Sequence, residues 1–464
     1  MVDLPFAMPD TKLPLRDVLT FAAPAVGLGY MYLLVALYVM KYSTDVLLIA
    51  PAVMGIIFSA SRILDAVSDP LVGYLSDRTR SRFGRRRVWM LGSVIPTFAF
   101  FYMVFSQPAG LSGVALGGWM AVAIIGFYIA ITLFFIPHLS LGAELAAGYH
   151  DRSRLYGYRH SAYTIGSILA LYSMQVFLTA EQGGKVLVQA SVGYYAILAG
   201  VVFTLLVLYA VTRLPEKTQK NARSAKSAFA TIAEVWRNPH ARLLLVVTFV
   251  EHIGSAAIGV LTLYIAQYIL GRPLMAVVII LFYMVPSAFS VPLWIPLSRR
   301  IGKIRLWTYS MLLTGFSFGC MFFLIYLEGN TQLYLIFLLA FTAGLAAGCG
   351  GTIGPSVQSD VIDYDELLTG ERKEGAYFAA WNFVYKSAYG VMLLLTGFAL
   401  QASGFVPNAE QSEVVKYTML SLYGLLPLLC YVIGAWLFQR FELDESAHMN
   451  IRRDMSAREK VSDE

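Results

Sequence analysis

Apolar residues fall in twelve long runs along this chain, separated by short polar connections. To within a few residues the runs are 18–40, 51–75, 88–105, 114–140, 155–179, 191–211, 243–268, 276–297, 306–327, 333–354, 377–400 and 417–438. Each approaches the roughly 20 apolar residues that a helix needs to cross a bilayer. The pattern predicts an all-α membrane protein of twelve transmembrane helices, with almost no chain left for a soluble domain.

The longest interior polar stretch, 214–242, lies between the sixth and seventh runs and carries Lys217, Lys220, Arg223 and Lys226. It divides the chain into a six-helix half at 1–213, a cytoplasmic linker at 214–242, a second six-helix half at 243–440 and a cytoplasmic tail at 441–464. Within the linker, 227–236 has the make-up of an amphipathic helix on the membrane surface. A short internal repeat supports the two halves. Pro70-Leu71-Val72-Gly73-Tyr74-Leu75-Ser76-Asp77 ends the second run, and Pro292-Leu293-Trp294-Ile295-Pro296-Leu297-Ser298-Arg299 ends the eighth. Both precede a basic loop with a glycine, Gly84 or Gly302. These runs are equivalent if six helices duplicate into twelve.

Composition agrees. Hydrophobic residues make up 58% of 464 and charged residues 14%, against about 25% charged in soluble domains. The net charge of +6 is a matter of topology. Arg78, Arg80, Arg82, Arg85, Arg86, Arg87, Arg152, Arg154, Arg299, Arg300, Lys303 and Arg305 share one side, and the other holds little more than Lys41, Lys185, Arg272 and Lys416. The positive-inside rule then places both termini in the cytoplasm of a multi-pass protein of the cell (inner) membrane. Basic loops of this kind meet anionic headgroups, so the bilayer is the expected partner and nucleic acid is not. Residues 1–17 contain Pro5, Pro9 and Pro14 and lack the apolar stretch of a cleavable signal. Cys320, Cys349 and Cys430 are solitary in apolar runs, so no cofactor or metal chemistry is expected of them.

Chemistry enters in the second run, where Asp65 and Asp69 project from one helix face. A carboxylate at mid-membrane costs roughly 2.5–3.5 kcal/mol or more. A bound cation, a proton or a basic partner must offset that. Arg62, three residues before Asp65, offers a purely structural ion pair, but one arginine does not fully neutralise two carboxylates. The repeat register maps Asp65 and Asp69 onto Ser287 and Val291, so a cation site here belongs to the N-terminal half alone.

The stretch Asp65-x-x-x-Asp69-Pro70-x-x-Gly73-x-Leu75-Ser76-Asp77-Arg78-Thr79-Arg80-Ser81-Arg82-x-Gly84-Arg85-Arg86-Arg87 resembles the signature of the glycoside-pentoside-hexuronide:cation symporters, the melibiose-permease group of the major facilitator superfamily. So do Asp360-Val361-Ile362-Asp363-Tyr364-Asp365, Thr369-Gly370-Glu371-Arg372-Lys373-Glu374-Gly375 and Lys386, with Tyr42-Ser43-Thr44-Asp45 and Gly142-Ala143-Glu144 in weaker support. The resemblance implies two six-helix halves with the solute held between them. It implies sodium or a proton as coupling ion on Asp65, Asp69 and Thr132, with Arg62 and Lys386 balancing charge. Arg159 is implied to line the cavity.

Sugar-binding members of that family carry acids at the positions of Gly29 and Phe135. Around these lie Tyr30, Tyr32, Phe134 and His138, whose rings would stack on a sugar, a lipid tail or an aromatic acid. Glu251 and His252 in the seventh run, and Trp381 and Asn382 one turn before Lys386, are further cavity candidates; adjacent residues on a helix face different neighbours. Asp77, Arg78 and Arg85, with Asp360, Asp363 and Arg372 as counterpart, are expected to latch and release the cytoplasmic side. No HExxH, GxSxG or Walker-type loop argues for an enzyme, and no repeated filter loop argues for a channel. The expected activity is that of a monomeric, cation-coupled symporter. Its expected solute is a sugar, a glycoside or, as the alternative, an amphiphile such as a lysophospholipid.

Overall fold

The computed structural model describes residues 13–145, 149–216, 235–370, 374–443 and 453. Among them, eleven helices are long and apolar enough to cross a membrane, and a bent pair supplies a twelfth. We number the spans α1 (Leu15–Leu37), α2 (Pro51–Ser76), α3 (Arg87–Phe105), α4 (Gly113–Gly142), α5 (Arg154–Gln182), α6 (Lys185–Arg213), α7 (Pro239–Ile269), α8 (Met275–Phe289 with Pro292–Ile301), α9 (Lys303–Tyr326), α10 (Asn330–Thr369), α11 (Ala376–Ala402) and α12 (Glu413–Phe438). Each expected run corresponds to one of them.

Two elements differ from the expectation. The arms of α8 meet at 56°, because Pro286 and Pro292 each remove a backbone donor around the break. Helix α10 runs 40 residues, well past the expected end at 354. Its polar continuation carries Asp360, Asp363 and Asp365, and it stops at Gly370, whose φ of 71° gives a left-handed cap. The surface helix expected at 227–236 lies outside the described residues apart from Val235 and Trp236. Arg372 and most of the tail also lie outside them.

The chain forms two compact units. Unit 1 is Met1–Val39 with Val67–Ser224, and unit 2 is Met40–Ala66 with Ala225–Glu464. Unit 2 thus takes in the segment leading from α1 through the first turns of α2. Within unit 1, α3 packs on α4 and α6, and α1 on α5 and α6. Within unit 2, α9 packs on α10 and α12, and α7 on α11 and α12. The same pairing pattern in both units is the structural form of the sequence repeat.

Glycines allow the closest approaches. In unit 1, a Cβ on Gly29 would strike the Tyr163 carbonyl of α5, and one on Gly166 would strike the Val26 carbonyl of α1. In unit 2, a Cβ on Gly344 would strike the Tyr283 carbonyl of α8. Small residues of this kind let membrane helices meet backbone to backbone.

Candidate functional site: the carboxylates of α2

Asp65 sits in unit 2 with its side chain fully buried. The Lys386 Nζ of α11 lies 2.9 Å from its Oδ2, and the Arg62 Nη1 lies 3.9 Å from the same oxygen. The Arg62 guanidinium also stands 4.9 Å from the centroid of Tyr389. Gly390 makes room for this arrangement, since a Cβ there would come within 3.0 Å of the Arg62 Cβ. One carboxylate therefore faces two cations inside the unit. Truncating either partner would leave buried charge uncompensated.

Asp69 is one turn further along α2 and belongs to unit 1. Its Oδ1 accepts a hydrogen bond from Thr132 Oγ1 of α4 at 3.1 Å. Thr132 is 1% exposed, so α4 presents its hydroxyl to α2 and not to solvent. A carboxylate and a hydroxyl are hard oxygen ligands of the kind that suit sodium or a proton.

The cavity candidates of unit 1 are deeply engaged. Tyr30 donates from its hydroxyl to Ser173 Oγ at 2.9 Å. His138 is fully buried, its Nε2 at 2.9 Å from the Phe21 carbonyl oxygen and its Nδ1 accepting from Arg159 Nε at 3.5 Å. Phe134 is fully buried and packs on His138 and Phe203. Tyr32 packs on Phe127 and Tyr128. Tyr30, Phe134 and His138 therefore have the surroundings of packing residues. Phe135 is different: the Arg159 guanidinium stands 5.2 Å from its ring centroid. Arg159 Nη2 is buried and makes no hydrogen bond among the described residues.

In unit 2, Glu251 and His252 face different neighbours, as adjacent helical residues must. His252 packs on Tyr385, with ring centroids 4.4 Å apart, and its Nδ1 lies 2.7 Å from the Thr248 carbonyl oxygen. Glu251 lies beside Gly350 of α10, where a Cβ would come within 3.5 Å of its Oε1. Its Oε2 is shielded from solvent and makes no hydrogen bond among the described residues. Trp381 is buried against Tyr377 and Phe378, with Nε1 likewise unbonded. Asn382 is exposed.

At the ends that carry the basic loops, Arg85 Nη2 lies 2.5 Å from Glu144 Oε1 and Arg86 Nε 3.4 Å from the same oxygen. Arg86 Nη1 also donates to Ser76 Oγ at 2.7 Å. Glu216 accepts from the backbone N–H groups of Arg86 and Arg87. Arg78 stacks on Tyr74 at 4.0 Å. In unit 2, Lys303 Nζ lies 2.7 Å from Asp360 Oδ2, and Asp363 is buried. The side chain of Asp77 lies outside the described residues. Sequence reasoning missed Glu216 and Lys303 as pairing residues; their partners are distant in the chain.

Among the described residues, helices long and apolar enough to cross a membrane fall in two units of one repeated packing pattern, each with charged side chains buried inside it, as suits a secondary transporter. The chain belongs to the family described as MFS/sugar transport protein, which it matches over residues 20–445. It is 27% identical over 413 residues to the inner membrane symporter YicJ of Escherichia coli (strain K12), covering 88% of this chain and 87% of that one. It is 24% identical over 444 residues to the sodium-dependent lysophosphatidylcholine symporter 1 of Xenopus tropicalis, covering 86% and 82%. Its fold resembles the crystal structure of a D-xylose–proton symporter, with a TM-score of 0.66 at 14% identity over 90% of this chain and 97% of the other. The family consists of transporters and not enzymes, in line with the sequence reading.

Proposed function

We propose that this protein is a cation-coupled symporter that carries a sugar or glycoside across the cell (inner) membrane, with both termini in the cytoplasm. The observation that carries the reading is the pair of carboxylates on α2. Asp65 is held by Lys386 and Arg62, and Asp69 by the Thr132 hydroxyl. Lys386 is an internal cation at Asp65, so an incoming sodium ion or proton competes with it or binds beside it at Asp69. Binding of ion and solute then favours the same conformation, and each raises the affinity of the other by an equal factor.

Unspent hydrogen-bonding groups support a polar solute. Arg159 Nη2 in unit 1 is a donor, and Glu251 Oε2 in unit 2 is an acceptor when ionised. Each is of a kind that a sugar hydroxyl satisfies. A second reading, an amphiphile such as a lysophospholipid, is favoured by Gly29 and Phe135 standing where sugar-binding members carry acids. At position 29 the structure supplies a physical reason, since any side chain would strike the backbone of α5.

Uptake into proteoliposomes under imposed sodium or proton gradients tests the proposal, with glycosides, hexuronates and lysolipids as solutes. Asp65→Asn and Asp69→Asn each keep shape and remove charge, so both should abolish accumulation against a gradient. Undiminished accumulation by both variants would sink the cation-site assignment.

A further inference from the structure

Helix α1 does not end at Leu37. It continues through Val39–Lys41 and closes with one π-helical turn, Tyr42–Val46. Helix α7 closes in the same way at Ile265–Ile269. The two ends match bond for bond. Leu47 N–H donates to the Tyr42 carbonyl at 3.1 Å and Ile49 N–H to Ser43 at 2.9 Å; Leu270 donates to Ile265 at 3.0 Å and Arg272 to Ala266 at 2.8 Å. Leu48 (φ 58°) and Gly271 (φ 61°) take the same left-handed conformation at the same place. A leucine held there is strained, and such strain persists where the surroundings over-determine it. By this register Asp45 is the repeat mate of Tyr268, and Lys41 that of Tyr264.

The two ends touch one another inside unit 2. Tyr268 donates from its hydroxyl to Asp45 Oδ2 at 2.8 Å. The hydroxyls of Thr44 and Tyr264 are 2.8 Å apart. Asn408, itself left-handed at φ 56°, donates from Nδ2 to the Asp45 carbonyl at 2.6 Å and from its N–H to the Tyr268 hydroxyl at 3.1 Å. Phe405 packs on both tyrosine rings. Lys41 Nζ lies 3.4 Å from Asp45 Oδ2, and both side chains are 1% exposed.

We propose that Lys41, Asp45, Tyr264, Tyr268 and Asn408 form a clasp within unit 2 that holds the extended end of α1 to the end of α7 and opens once in each transport cycle. The proposal rests on the reading of the chain as a carrier. Its chemistry suits a reversible contact. The ion pair lies within one segment, four residues apart, so the Asp45 charge keeps its Lys41 partner whether the clasp is shut or open. Hydrogen bonds to tyrosine hydroxyls and to Asn408 are exchanged for water on opening. A buried ion pair across the contact would instead expose two charges to separate fates at every cycle.

The test uses the full chain with Cys320, Cys349 and Cys430 replaced by alanine and Ser43→Cys added as a reporter, since Ser43 is fully buried in the turn that the clasp holds. Right-side-out vesicles are treated with a membrane-impermeant maleimide, and the labelling rate is followed. Removing the Tyr268 hydroxyl and its bonds to Asp45 and Asn408 by Tyr268→Phe should raise that rate at least three- to tenfold, roughly the worth of one such bond. Asn408→Ala, a substitution in a connecting loop, should act in the same direction and guards against a folding defect at Tyr268. A reporter that labels at one rate in the parent and in both variants overturns the clasp and leaves the carrier reading intact. A reporter that never labels, in any variant or with any solute present, overturns both.

Discussion

Lys386 and Asp65 meet at 2.9 Å although they lie far apart in the sequence, one on α11 and the other on α2. Arg62 approaches the same carboxylate from one turn away at 3.9 Å. The three charges form one group, and their energies are coupled. Breaking a buried pair by removing one partner costs roughly 3–5 kcal/mol. We expect Lys386→Gln to lower the unfolding midpoint in detergent, and the Asp65→Asn/Lys386→Gln double variant to fall by less than the sum of the two singles. Additive losses, within about 0.5 kcal/mol, would show that the pair does not act as a unit.

Thr132 offers a narrower test of the ion. Its hydroxyl donates to Asp69 at 3.1 Å. Thr132→Val keeps the shape and removes the oxygen, and should weaken the apparent affinity for the coupling cation roughly 10- to 150-fold, the worth of one hydrogen bond to a charged group. Thr132→Ser should restore most of it. The cation dependence of solute uptake reads both, and equal affinity in the valine variant would remove Thr132 from the site.

The glycines of the α1–α5 contact should be intolerant of even one methyl group. Gly166→Ala would force the two backbones apart, at about 1–3 kcal/mol. Gly92→Ala adds its methyl where nothing lies within 4 Å and should be neutral or slightly stabilising, because alanine is the better helix former. Thermal unfolding of the two variants side by side decides whether the close approach governs stability.

Phe135 lies under the Arg159 guanidinium at 5.2 Å from its centroid. Phe135→Asp would give that cation a carboxylate partner and remove an apolar wall. Solutes with an apolar aglycone should then bind more weakly, by up to about 1.5–3 kcal/mol for a fully buried contact, while plain disaccharides gain. Binding measured by thermal shift in both proteins checks the direction. Tight, cation-dependent binding of melibiose or lactose by the unmodified protein would overturn the expected preference for amphiphilic glycosides.

Much of this is legible in the chain. The twelve spans are read from hydrophobic length alone, because a bilayer demands that length of every helix. The Asp65–Asp69 pair announces itself because charge in an apolar run has no cheap explanation. The partners are less legible. Lys386 is reached by resemblance and not by spacing, and the link between Arg85 and Glu144 joins positions that no local pattern relates. Tyr268 cannot be matched to Asp45 from sequence, since the repeat at the ends of α1 and α7 is written in backbone hydrogen bonds. Hydropathy underestimates the length of α10 for a physical reason: it falls where Asp360 begins a polar face, but helical hydrogen bonding continues to Gly370.

That length has a mechanical meaning. Forty residues of α-helix span about 60 Å at 1.5 Å per residue, roughly twice the 30 Å hydrocarbon core. The fifteen residues of α10 past its apolar run, 355–369, make an arm of about 22 Å, tied to α9 through Lys303 and Asp360. A tilt of about 10° at the membrane would sweep the end of that arm through about 4 Å. A displacement too small to notice beside a bound solute becomes, at Thr369, wide enough to lift neighbouring layers of side chains away from each other.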